Sequence, residues 1–111
     1  MLNKDLHSLE SILEAIDRII EYTTGIKSAD EFNNDYRNFD ATMMNFVVIG
    51  EKIDKISDDF KKKHPKIEWI KIKGFRNIVA HDYFGIDAEE VWQIIKNKIP
   101  ALKSDISNLL D

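Results

Sequence analysis

Eight consecutive residues, Arg76, Asn77, Ile78, Val79, Ala80, His81, Asp82 and Tyr83, hold the densest set of reactive groups in the chain. A guanidinium presents a planar fork of donors that matches phosphate oxygens, and an imidazole titrating near neutrality can give or take a proton. A carboxamide and a phenol complete the set. These are the parts of an acid–base site directed at phosphate. The same residues would also serve as the polar side of a packed helix, so the rest of the chain has to decide.

Charge gives the first indication. The formal net charge is −4, yet it is unevenly spread along the 111 residues. Residues 1–60 carry −7 and residues 82–111 carry −3. Residues 61–81 carry +6, from Lys61, Lys62, Lys63, Lys66, Lys71, Lys73 and Arg76 against Glu68. A local positive field of this kind can attract a phosphate backbone to a protein that is acidic overall. A solvated lysine face has the same composition.

On an α-helical wheel of about 100° per residue with Arg76 at zero, Ile72, Phe75, Ile78, Val79 and Tyr83 fall between about 200° and 340°. That arc is the expected core side. Asn77 and His81 fall at about 100° and 140°, opposite the core, and the small Ala80, at about 40°, lies among Arg76, Asn77 and His81 as the floor of a phosphate seat. Asn77 is four residues from His81 and could bond the imidazole or a phosphate. Asp82 points to about 240°, away from His81, and could support it only if the helix ended there. Glu51 is a third candidate for support, although an acid at the edge of an apolar stripe is usually just surface.

The elements that must position these groups are helical. Only four Gly and two Pro are present, too few for a turn-rich β-sandwich. Leu2, Leu6, Leu9, Leu13, Ile16 and Ile20 form one stripe, which predicts a helix over about residues 3–24 that stops at Gly25. Ser28 to Glu31 has capping-box spacing and starts a short helix. A second long helix is expected over about 35–62, with Phe39, Met43, Phe46, Gly50, Ile53 and Phe60 on one face. Met44, Val47, Val48 and Ile49 extend its apolar surface beyond one stripe, enough to cover a second chain. Gly50 inside that helix costs about 1 kcal/mol relative to Ala, and close approach of another helix is the expected compensation. Lys61 to Pro65 ends it, with His64 as a turn residue. A third helix should start between Lys66 and Trp69 and carry the reactive segment. A fourth, capped by Asp87, carries Val91, Ile95, Ile99, Leu102, Ile106 and Leu109 and should be kinked or divided at Pro100. His7, beside the first stripe, reads as structural or exposed. The expected architecture over residues 1–111 is a single all-α domain, an up-and-down bundle of four main helices plus a short one.

Cysteine is absent, which removes disulfides, thiolate catalysis and sulfur-based zinc sites. With no signal peptide and no apolar run near 20 residues, the expected location is the cytoplasm and no membrane partner is implied.

The segment Arg76-Asn-Ile-Val-Ala-His81-Asp-Tyr83 resembles the R-x-x-x-x-H-x-Y signature of HEPN-domain proteins. Among these it is most similar to the HepT-like toxins encoded beside a minimal nucleotidyltransferase. The flanks agree: Ile49-Gly50-Glu51, Pro65, Trp69, Gly74-Phe75, Phe84-Gly85-Ile86-Asp87 and Val91-Trp92. The resemblance implies a metal-independent endoribonuclease toxin that needs no cofactor, with Arg76 and His81 catalytic. Tyr83 would be the residue to which the partner nucleotidyltransferase attaches AMP, silencing the toxin. The family is dimeric, with the motifs facing a shared cleft.

The chemistry of the residues fits that implication. RNA is cleaved without metal when its 2′-OH attacks the adjacent phosphorus, leaving a 2′,3′-cyclic phosphate. The step needs a base, an acid and a cation for the phosphorane. One chain offers one suitable His, and a two-fold dimer would offer both proton-transfer groups. The competing reading is a non-catalytic substrate-binding or regulatory subunit of a nucleotidyltransferase, which would need the helical surface but no Arg/His pair. A nucleotide-transferring enzyme has little support, because no Gly-rich phosphate loop is visible.

Overall fold

Short polar signals set most of the helix ends. The computed structural model describes residues 1–79 and 82–111, and among these every regular element is helical. Helix α1 (Asn3–Thr23) closes at Gly25, whose φ of 86° is a conformation that only glycine adopts without strain. Helix α2 (Ala29–Asn34) starts at Ser28, whose hydroxyl accepts from the Glu31 N–H at 3.1 Å, while the Glu31 carboxylate accepts from Lys27 N–H. Asp35 caps α3 (Tyr36–Asp54) by accepting from Asn38 N–H.

The second long helix is shorter than the apolar pattern predicts. It stops at Asp54 instead of running to residue 62, and a separate helix α4 (Asp58–Lys63) follows a tight turn. The cause lies 52 residues away, where buried Asp5 of α1 accepts from both the N–H and the hydroxyl of Ser57 at 2.7 Å. Ser57 in turn caps α4 by accepting from Phe60 N–H. The buried face of α1 also departs from the expected stripe. Leu9 and Ile16 are buried as expected, but Leu2 and Leu6 are exposed, and Ile12, Ala15, Ile19 and Thr23 are buried in their place.

Asp5 makes the α4 junction testable. Burial works to raise its carboxyl, but the Ser57 N–H, the Ser57 hydroxyl and the nearby Lys4 outweigh it, and the net shift is downward from 3.8. A depressed carboxyl stabilises the fold above its unfolded pKa, and that contribution is lost as pH falls through the lower folded value. Asp5→Ala is therefore expected to cost about 1–3 kcal/mol at pH 7. The gap from wild type, read from urea melts, should narrow by about pH 2.

Trp69 opens helix α5 (Trp69–Lys73), and its indole N–H donates to the carbonyls of Lys61 and His64 at the end of α4. His64, the C-cap of α4, lies against Phe60 with ring centroids 4.5 Å apart. Beyond α5 the chain narrows to a 3-10 helix (Gly74–Val79), and later makes a 3-10 turn (Tyr83–Gly85). Asp87 then caps α6 (Ala88–Asn97), accepting from Glu89 and Glu90 N–H. Pro100 in the first turn of α7 (Ile99–Leu110) marks the division expected of the fourth helix.

The result is an all-α bundle with α3 at its centre. Helix α1 covers one side of α3 and α5 with the 3-10 helix covers another, while α7 closes on α1 and α6 on α2. Phe32, Phe46, Ile12, Ile16, Ile49 and Ile99 are fully enclosed. Among the described residues, no helix is long and apolar enough to cross a membrane.

Candidate active site

The reactive segment is not the continuous α-helix that the wheel assumed. At Gly74 the geometry changes to 3-10, in which residues three apart eclipse each other. Gly74 and Asn77 form the outward row, and Asn77 is exposed. Phe75 and Ile78 form the inner row, packed on the core, with the Phe75 ring edge-on to Phe46 at 5.3 Å. Arg76 and Val79 share the row between. The expected core side is correct, since Ile72 is buried and Phe75, Ile78, Val79 and Tyr83 pack against the core. The wheel angles are not. Asp82 is extended, with φ −152° and ψ 97°, so its predicted direction away from His81 does not apply. His81 and Ala80 lie outside the described residues.

Arg76 is set by backbone contact with α3. A Cβ added to Gly50 would sit 2.8 Å from the Arg76 Cβ, the Arg76 N and the Lys73 carbonyl oxygen. The absence of a side chain at Gly50 is what lets this segment lie so close, which is the compensation its helix cost called for. One turn further along α3, Asp54 binds Lys73 through Oδ1 at 2.7 Å and faces the Arg76 guanidinium through Oδ2 at 3.7 Å. The Lys73 hydrogen bond and charge, with help from Arg76 and Lys61, hold the Asp54 carboxyl below the usual carboxylate range. At 3.7 Å the contact with Arg76 is an ion pair rather than a hydrogen bond. It therefore orients the guanidinium without occupying its N–H groups, and the side chain stays 39% exposed.

Tyr83 meets α3 at a different point. Its ring packs edge-on to Phe39 at 6.0 Å, and its hydroxyl donates to the carboxylate of Asp40. Burial, and then the Asp40 bond and charge, push the phenol pKa far above its ordinary value, so the proton stays on oxygen. Asp40, Met43, Met44, Val47, Val79 and Tyr83 line a shallow groove of about 400 Å³. Helix α3 rises about 1.5 Å per residue, so its contacts with Tyr83 at Asp40 and with Arg76 at Gly50 are about 15 Å apart. The groove runs from Asp40 past Met44 to Val47, part of the way along α3 toward Gly50.

Two of the three candidate supporting residues share a groove and the third stands apart. Asn77 and Asp82 border another shallow groove with Ile86, Asp87 and Glu90. Glu51 is exposed on α3 and makes no hydrogen bond or ion pair among the described residues. Two carboxylates escaped the sequence reading. Asp54 was marked only by its place one helical turn from Gly50. Asp40 lies 43 residues from Tyr83 and carried no local signal.

The family described as "Ribonuclease HepT-like" matches residues 12–109. The chain is 37% identical over 101 residues to "Probable ribonuclease HepT" of Thermococcus cleftensis, covering 91% of each protein. It is 36% identical over 98 residues to "Putative RNase MJ1380" of Methanocaldococcus jannaschii, 88% of this chain and 89% of that protein. To "Putative RNase TTE0752" of Caldanaerobacter subterraneus it is 32% identical over 102 residues, 92% of this chain and 90% of the relative. No solved structure matches.

Proposed function

The chain belongs to the ribonuclease HepT-like family, and from that premise we propose that it is a metal-independent endoribonuclease acting through Arg76 and His81. The observation that carries this reading is the setting of Arg76. Its backbone is clamped on Gly50 and its guanidinium is oriented by Asp54 with the donor groups left for a ligand. It also ends the Lys-rich segment, whose charge draws in an RNA backbone.

The substrate's own 2′-oxygen attacks the adjacent phosphorus as the bond to the 5′-oxygen breaks. Arg76 stabilises the charge that builds on the phosphorane. One His81 takes the 2′-OH proton and the His81 of a second copy protonates the leaving oxygen. Asn77, exposed on the row beside Arg76, adds a phosphate contact, and Asp82 and Glu51 are candidates to orient His81. The dimer is supported by the α3 face, where Met44 is 63% exposed and Val47 and Val48 are half-buried.

In this reading the enzyme is the toxin of a toxin–antitoxin pair, and a partner nucleotidyltransferase silences it by attaching AMP to Tyr83. What supports the silencing is the groove from Tyr83 along α3 toward Gly50. It gives an adduct a path on which its phosphate and sugar obstruct the RNA site.

Purified protein incubated with structured RNA should cut it in EDTA, leave 2′,3′-cyclic phosphate ends, and scatter light as a dimer at micromolar concentration. RNA left intact overturns the nuclease reading in favour of a binding subunit. A stable monomer that cuts overturns the shared cleft.

A further inference from the structure

Tyr83 and Asp40 meet although 43 residues separate them, and the reason for their bond is not structural necessity. Both ends of the bond reach solvent, where water would satisfy a phenol and a carboxylate equally well. The Tyr83 ring is held independently, edge-on between Phe39 at 6.0 Å and Phe84 at 5.9 Å. The hydroxyl is thus presented in one orientation with its proton already directed at an oxygen.

We propose that Asp40 is the proton acceptor for nucleotidyl transfer to Tyr83, so that the modified protein supplies part of the catalysis of its own modification. This rests on the reading that Tyr83 receives AMP. As a carboxylate Asp40 can only accept, so the phenolic hydrogen lies along the bond to Asp40 and the remaining lone pairs of Oη face away from it. Those lone pairs are the ones that attack phosphorus. In the transfer, the bond from Oη to the α-phosphorus of ATP forms and the bond from that phosphorus to the pyrophosphate oxygen breaks. Pyrophosphate leaves with the electron pair, and the phenolic proton passes to Asp40.

The need for a base follows from the state of the phenol. Burial and the Asp40 charge keep it protonated, so the nucleophile reaches phosphorus as a neutral hydroxyl. A neutral phenol attacking phosphorus must lose its proton in or near the transition state, and a base already within hydrogen-bond distance is suited to take it.

Asp40→Asn tests the idea, because it keeps an accepting oxygen at the same position but cannot take up a proton. With the cognate nucleotidyltransferase and ATP, the rate of mass gain at neutral pH should fall by about 100-fold or more. The residual rate should climb steeply with pH as hydroxide substitutes for the base, while the wild-type rate stays flatter. RNA cleavage by the unmodified variant should be unchanged. Modification of Tyr83 at the wild-type rate in Asp40→Asn, or a slower rate with the wild-type pH profile, overturns the role of Asp40. A mass gain that survives in Tyr83→Phe, or no gain in wild type, instead removes the AMP reading and the assignment with it. A partner-free measurement separates the two. An adenosine-bearing sulfonyl fluoride should label Tyr83 about tenfold more slowly in Asp40→Asn, and equal labelling rates count against the proton acceptor whatever the partner does.

Discussion

Arg76→Ala is expected to lower RNA cleavage by at least about 100-fold, the scale found when one preorganised charge is removed from a developing oxyanion. Stability should change little, by about ±0.5 kcal/mol, because the guanidinium is partly exposed and Ala keeps the Cβ that rests on Gly50. Asp54 is not stranded by the change, since Lys73 still bonds it at 2.7 Å. Arg76→Lys should recover only part of the rate, because a point charge replaces a fork that holds two phosphate oxygens. His81→Ala should fall as far as Arg76→Ala, and the double variant little further, as expected for groups that act as one unit. Single-turnover cleavage of a labelled RNA, set beside a urea melt of each variant, gives both quantities. A normal cleavage rate in either single variant would falsify the assignment of that residue.

What could be read from the sequence, and what could not, divides by the range of the interaction. Ser28, Asp87, Gly25 and Pro100 act on their immediate neighbours, and each marks the boundary it was expected to mark. The break after Asp54 has a local mark as well, since Ser57 caps α4 with Asp58 and Asp59 in its first turn, but the Asp5 carboxylate that holds Ser57 lies on another helix. The apolar pattern runs straight through it, with Ile53, Ile56 and Phe60 all buried. The 3-10 segment escaped for a different reason. Ile72, Phe75 and Ile78 are three apart, a spacing that keeps one face inward in both helix types. The core side was therefore legible while the directions of Arg76, Asn77 and Asp82 were not. Asp40 shows the limit most plainly. Nothing near it in the chain hints at Tyr83, and only the packing of the 3-10 turn against α3 brings them together.

Gly50→Ala should damage the site from beneath without touching any group that does chemistry. The added methyl would meet Arg76 N and the Lys73 carbonyl oxygen at 2.8 Å, and neither is a side-chain atom that can rotate aside. Overpacking of this kind costs about 1–3 kcal/mol. Alanine's better helix propensity returns up to about 1 kcal/mol, leaving a net loss of about 1–2 kcal/mol. The clash is relieved by lifting the 3-10 segment off α3, which also draws the guanidinium away from Asp54. A displacement of about 1 Å at a positioning group can cost about 100-fold in rate, so cleavage should drop by about 10- to 100-fold, more than the lost stability explains. Gly74→Ala is the control. A Cβ there would meet nothing within 4 Å, and its φ of −65° suits any residue, so the variant should be neutral or slightly stabilised and fully active. Thermal melts and cleavage rates of the two variants side by side decide the matter. If Gly50→Ala melts and cuts like wild type, the close approach of Arg76 to α3 is not what holds the site.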